Sequence, residues 1–166
     1  MAENKSITVL GIGNILLKDE GFGVHFVRWF AGRHILPAGV RVVDGGTLGY
    51  ALLDLICRSR FLIVIDVIKA RDNPGTIYRF TREEMETHMP PPTSAHEVTF
   101  MDVLYKAELI DEVPETVFLC IVPAHFDEMG LELTGAMKER FPEMEKLLLA
   151  EFAKLNIKMN GSSRDA

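Results

Sequence analysis

Glu20, Asp44 and Asp66 each lie just past a short apolar run, and His96 opens the first turn of a helical pattern. Carboxylate oxygens and an imidazole nitrogen are donors suited to a divalent metal, and so small a set leaves coordination positions open. Donors this far apart in sequence converge only if the apolar runs are neighbouring strands whose carboxyl ends share one crevice. Each residue also has a simpler reading. Asp66 follows the five apolar residues 61–65, where an uncompensated carboxylate is costly, so it either caps a turn through backbone amides or binds something. Glu20 follows Asp19 at a helix start, where the helix dipole stabilises an acid without any ligand. Asp44-Gly45-Gly46-Thr47 reads equally well as a turn with an Asx-type bond. Ser94 and Glu97 form a capping-box signature that places His96 four residues before Phe100, on the inward face. The positive end of that helix disfavours protonation, leaving a neutral imidazole that either ligates or packs.

The elements that must position these groups follow an alternating order. Residues 7–12 (ITVLGI) read as a buried strand, and 21–34 as a helix with Val24, Val27, Ala31, Phe26 and Phe30 inward and His25, Arg28 and Gly32 toward solvent. Residues 40–43 form a second strand, 50–58 a helix, and 61–65 a third strand apolar throughout. Unbroken apolar runs suit central parallel strands joined by right-handed crossovers. An Asn73-Pro74-Gly75 turn precedes an edge strand over 76–80, antiparallel by expectation, and a short helix over 83–88. Pro90, Pro91 and Pro92 then form a stiff linker. A helix carrying Phe100, Val103, Leu104 and Ala107, a strand over 116–122, and a closing helix begun near Pro142 complete the pattern. The predicted fold is a single-domain α/β three-layer sandwich over residues 1–159: about five strands, mostly parallel and twisted, with helices on both faces. The polar tail 160–166 is expected to be disordered.

Composition narrows the function classes. With 166 residues, 48% of them apolar, the chain can bury a core without disulfides or structural zinc. A formal charge of −6 repels phosphate backbones and anionic lipid, so neither nucleic acid nor a membrane is an expected partner. The N-terminus lacks signal-peptide features, which makes the cytoplasm the expected location. Cys57 and Cys120 have no C-x-x-C spacing and are expected to be buried thiols. Gly11-Ile12-Gly13 begins a dinucleotide fingerprint, but Leu16 stands where the third glycine belongs. His96-Glu97 begins a zinc-protease helix, but Phe100 replaces its second histidine, and no G-x-S-x-G elbow occurs. His125, Asp127 and Glu128 are read as solvated loop residues. The remaining alternatives are a metallohydrolase with its own zinc and a noncatalytic nucleotide-binding module.

Four segments together change that picture: GIGNILLKDEGFGV (11–24), DGGTLG (44–49), the strand-end Asp66 and SAHE (94–97). In order and spacing they resemble the nickel-iron hydrogenase maturation proteases, and the resemblance spans nearly the whole chain. It implies an endopeptidase that removes a C-terminal extension from the hydrogenase large-subunit precursor after nickel insertion. It further implies that Glu20, Asp66 and His96 contact nickel, carried by the substrate and bound transiently. Asp44 matches the acid of the D-G-G motif, a position of either structural or catalytic role. Ala95 departs from the proline that many relatives carry before the histidine, a change expected to affect loop stiffness more than ligation. The oligomeric state and the hydrogenase processed are not legible in the chain.

Overall fold

The computed structural model describes residues 6–88, 99–110 and 113–159. Five strands form one sheet: β1 (Ser6–Ile12), β2 (Val40–Gly46), β3 (Ser59–Val67), β4 (Ile77–Thr81) and β5 (Glu115–Ile121), in the order β2-β1-β3-β5-β4. The pairings β1 to β2, β1 to β3 and β3 to β5 are parallel, whereas β4 joins β5 antiparallel as an edge. The expected five-stranded α/β sandwich is therefore the observed one.

Helices cover both faces because the central strands are apolar on both. On one side α1 (Phe22–Arg33) and α6 (Phe141–Lys154) bury Phe22, Phe26, Phe30, Leu148 and Phe152 against Ile7, Val9, Ile63 and Ile65. On the other, α2 (Leu53–Cys57), α3 (Arg82–His88) and α4 (Phe100–Ile110) cover Leu10, Leu62, Val64 and Phe118. Each fully buried side chain of this size contributes roughly 1.5–3 kcal/mol of transfer free energy. Phe141 meets Phe22 and Phe26 edge-on at 5.3 and 5.6 Å, which fixes the start of α6 against α1. A further short helix, α5 (Gly135–Lys138), lies just before α6. Among the described residues no helix is long and apolar enough to cross a membrane.

Several local expectations need correction. Ala31 is exposed rather than inward, since the helix stripe that meets the sheet ends at Phe30. His25 is half-buried rather than solvated, and burial lowers its pKa; a backbone bond from the Leu131 region partly opposes this. Cys57 is half-buried rather than buried, while Cys120 is buried, and both thiols are free. The Ser94 and Glu97 cap lies outside the described residues, among which α4 begins at Phe100. Its reciprocal capping bonds are made by Thr99 and Asp102, with the Thr99 amide donating to Asp102 Oδ2 at 2.7 Å and the Asp102 amide to Thr99 Oγ1 at 3.2 Å. The triproline, Ser94, Ala95, His96, Glu97 and the tail 160–166 lie outside the described residues.

Two glycines set how closely α1 approaches the sheet. Gly13 has φ +141°, and a Cβ there would lie 2.1 Å from the Glu20 carbonyl oxygen. A Cβ on Gly23 would lie 2.2 Å from the Ile65 oxygen and 2.4 Å from the Ile12 oxygen. All three contacts are with backbone, which cannot swing aside. Gly23→Ala is therefore expected to lift the start of α1 off the strand ends and cost about 2–4 kcal/mol. A urea titration would read this as a lower midpoint with an unchanged slope.

Candidate functional site

Strand order reverses at β1: the chain leaves it through α1 to β2 on one flank and returns through α2 to β3 on the other. Such a reversal opens a crevice at the carboxyl ends of the two central strands, the usual ligand position in open α/β sheets. Here that crevice is a cavity of about 440 Å³, and both Glu20 and Asp66 line it.

Glu20 is delivered by the β1 to α1 connection. After Ile12 the chain turns through Gly13 and Asn14, whose Oδ1 accepts the Leu16 amide at 3.0 Å, and enters a single 3-10 turn, Lys18–Gly21. The Glu20 amide closes that turn on the Leu17 oxygen at 3.1 Å. Asp19, the neighbouring acid, points the opposite way and is fully buried. Its carboxylate accepts the Thr134 amide at 2.8 Å, the Thr134 hydroxyl at 3.0 Å and the His125 amide at 3.0 Å. Adjacent acids thus divide the work, one holding the following loop and one facing the cavity.

Asp66 stands near the end of β3, on the same sheet face as Leu62 and Val64, and accepts the Val67 amide at 2.7 Å. Burial pushes its carboxyl up to about 7; the Val67 bond opposes that shift, and the charge of Glu20 reinforces it. Near neutrality the carboxyl is thus divided between its two protonation states. Cys120 pairs with Asp66 across β3 and β5 and lines the same cavity. Burial, followed by the charge of Asp66, raises the Cys120 thiol well above its usual range, so it stays protonated.

Asp44 lies apart from these two. It is exposed, ion-paired with Arg28 (Nε to Oδ2 2.8 Å), and it receives the Gly46 amide at 3.1 Å in the expected Asx-type bond. It lines an adjoining groove that shares Gly13, Asn14, Gly46 and Thr47 with the main cavity. His96, the third expected metal contact, is outside the described residues, and among those described no group of three His, Cys, Asp or Glu side chains is placed to hold a metal ion.

Other groups at the cavity carried no signal in the sequence. His88, at the end of α3, donates through Nδ1 to the Glu84 carbonyl oxygen (2.7 Å) and lines the cavity. Phe126 lines it as well, with the Lys69 ammonium 3.7 Å from its ring centre. Phe126 belongs to the loop 123–134, whose His125, Asp127 and Glu128 were expected to be solvated and are exposed. His125 and Glu128 do have exposed, mutually paired side chains, but the backbone of that loop is fastened to the Glu20 turn. The Lys18 amide donates to the Gly130 oxygen at 2.8 Å and the Gly130 amide to the Leu16 oxygen at 2.9 Å.

Comparison with known proteins concerns the sequence and the fold as a whole. A family model for hydrogenase maturation proteases matches residues 24–151. The hydrogenase 2 maturation protease of Escherichia coli K12 is 36% identical over 87% of this chain and 89% of its own length. The hydrogenase expression/formation protein HupD of Thiocapsa roseopersicina is 32% identical over 100% of this chain and 77% of its own. HupD of Rhodobacter capsulatus is 37% identical over 79% of this chain, a match that spans only 63% of that longer relative. The solved hydrogenase maturating endopeptidase HybD of E. coli superposes with a TM-score of 0.84 at 30% identity, covering 96% of this chain and 98% of that one. By sequence over most of its length and by fold over nearly all of it, the chain belongs to the hydrogenase maturation protease family.

Proposed function

We propose that this protein is an endopeptidase that removes the C-terminal extension of a nickel-iron hydrogenase large-subunit precursor once nickel has been inserted, and that it recognises the nickel the substrate holds. The observation that carries this reading is the convergence of Glu20 and Asp66 on one cavity at the switch point of the sheet. Two acids that repel each other, one with its carboxyl held near neutrality, form a site that gains from an incoming cation. The cation displaces the Asp66 proton and cancels the repulsion from Glu20. His96, four residues ahead of the start of α4, is assigned as the third contact on the strength of the SAHE motif. Three such donors leave positions open, as sharing a metal with a substrate requires. The shared cation would hold the nearby peptide and polarise its carbonyl.

Asp44 is assigned a supporting role. Its bonds to Arg28 and Gly46 hold the wall that Gly46 and Thr47 give to the cavity, and its side chain lines the neighbouring groove. The reaction is placed in the cytoplasm, with the precursor as partner and nickel arriving as part of it.

The test is incubation with the paired precursor, nickel-loaded and nickel-free, followed by intact mass spectrometry. Loss of a C-terminal fragment from the loaded form alone is expected. Cleavage of both forms would remove the nickel requirement, and cleavage of neither would remove the protease assignment. His96→Ala is expected to slow cleavage of the loaded precursor by roughly a hundredfold or more without moving the melting temperature, because a metal contact is lost. Unchanged cleavage would take His96 out of the site.

A further inference from the structure

Hydrolysis of a peptide bond needs a group that takes a proton from water and then gives it to the leaving nitrogen. Among the described residues at the cavity, most groups able to exchange a proton are committed elsewhere. Asp66 accepts the Val67 amide through Oδ1 and, with Glu20, is assigned to the cation. Burial keeps the Cys120 thiol protonated, and the Lys69 ammonium, 3.7 Å from the Phe126 ring centre, has no lone pair to offer. Asp44 lines the adjoining groove and gives its two oxygens to Arg28 and the Gly46 amide. His88 differs from all of these. It is the last residue of α3, three after Met85, so both side chains lie on the helix face that borders the cavity. Nδ1 donates to the Glu84 carbonyl oxygen at 2.7 Å, and the ring lies against Phe80 with the two ring centres 5.0 Å apart. A backbone acceptor at Nδ1 fixes the neutral tautomer whose lone pair is on Nε2. Two contacts thus orient the ring, and the nitrogen left over is the basic one.

His88 does not form a three-donor metal group with Glu20 and Asp66, although all three border the same space. A basic nitrogen in that position serves proton transfer rather than ligation. We infer that His88 Nε2 is the general base of the cleavage, an assignment that rests on the protease reading above and adds its proton carrier. Nε2 takes one proton from a water molecule as the water oxygen bonds to the scissile carbonyl carbon and the carbonyl π pair moves onto its own oxygen. That pair then returns, the carbon–nitrogen bond breaks, and Nε2–H gives the same proton to the departing nitrogen. The products are a free amine and a carboxylic acid that releases the water's second proton to solvent, and the neutral imidazole is regenerated. Polarisation of the carbonyl falls to the cation the substrate holds, and activation of the water falls to His88.

The experiment follows single-turnover cleavage of the nickel-loaded, full-length precursor by intact mass, at a temperature where every variant is folded. His88→Ala is expected to slow the cleavage step roughly a hundredfold while the apparent affinity for the precursor stays within about twofold. Free imidazole added to His88→Ala can enter the space the ring has left and should restore the rate roughly tenfold or more. His88→Phe fills that space with a ring that has no nitrogen, so it should be equally slow and should not respond to imidazole. A base removed from the reaction is replaced by a free imidazole, whereas a lost bond at the end of α3 is not. Cleavage by His88→Ala within about threefold of wild type, or a slow variant that imidazole leaves unchanged, would overturn the assignment and leave the protease reading standing. No cleavage of the loaded precursor by wild-type protein would overturn both.

Discussion

Replacing Asp66 with asparagine is expected to give a protein that is more stable than the wild type above neutral pH and that no longer cuts its precursor. The expectation rests on the direction of one shift. Folding moves the Asp66 carboxyl from an ordinary 3.8 to about 7, chiefly through burial. The folded state therefore holds a proton that the unfolded chain has already released. Stability associated with this group is present below the lower value and is lost as pH rises through the higher one. A shift of this size corresponds to an upper bound of about 4 kcal/mol, and the partial exposure of Asp66 screens it to about 2 kcal/mol. Asparagine removes that loss because it has no proton to release, and its oxygen can still accept the Val67 amide. The advantage of Asp66→Asn should be small at pH 4 and grow to about 5 °C in melting temperature by pH 8, measured with a chelator present. A structural aspartate would behave in the opposite way and destabilise when neutralised. Lower stability of the variant at pH 8 would show that Asp66 serves the fold. Higher stability with activity retained would show that it does not serve the reaction.

The burial that raises the Asp66 carboxyl also bears on what could be read from the chain alone. The central strands were legible because their apolar runs are unbroken and leave no competing period. The positions of Glu20 and Asp66 followed from them, since both acids sit where the strands β1 and β3 hand over to loops. The adjoining acid Asp19 was not legible as a separate case. Two consecutive carboxylates at a helix start look alike, and only the tertiary fold turns one to Thr134 and the other to the cavity. Likewise His125, Asp127 and Glu128 mark their part of the loop 123–134 as solvated, and their side chains are exposed. The loop's attachment is made by backbone groups of Gly130 and His125, which side-chain patterns do not report. The Thr99 and Asp102 pair that caps the start of α4 was not legible, because the Ser94 and Glu97 signature just ahead of it, which lies outside the described residues, drew the reading. Leu52, Met101 and Phe118 were hidden as cavity residues for another reason: each looks like an ordinary core residue until their common open space is seen.

Asp19 also gives the second large expected effect. Its two oxygens accept three bonds in a fully buried setting, and all three come from the loop 123–134 or its end. Asp19→Ala leaves the His125 and Thr134 amides without that acceptor, and each such loss costs about 1–3 kcal/mol. A total near 4 kcal/mol is expected, a large part of the 5–15 kcal/mol typical of a domain. Asp19→Asn should cost about half as much, because its oxygen can keep one set of bonds while its amide group faces donors and cannot replace the other. Urea titration measures both variants. Hydrogen exchange read by mass spectrometry then locates the damage, with faster exchange expected in 123–134 and in the Glu20 turn while β1 and β3 stay protected. Because Phe126 and Glu20 line one cavity from the two fastened segments, cleavage should fall roughly tenfold even at a temperature where Asp19→Asn is fully folded. Full activity in the folded variant would mean that the loop stabilises the domain without shaping the site, and that the Glu20 turn holds its position through Gly13 and the start of α1 alone.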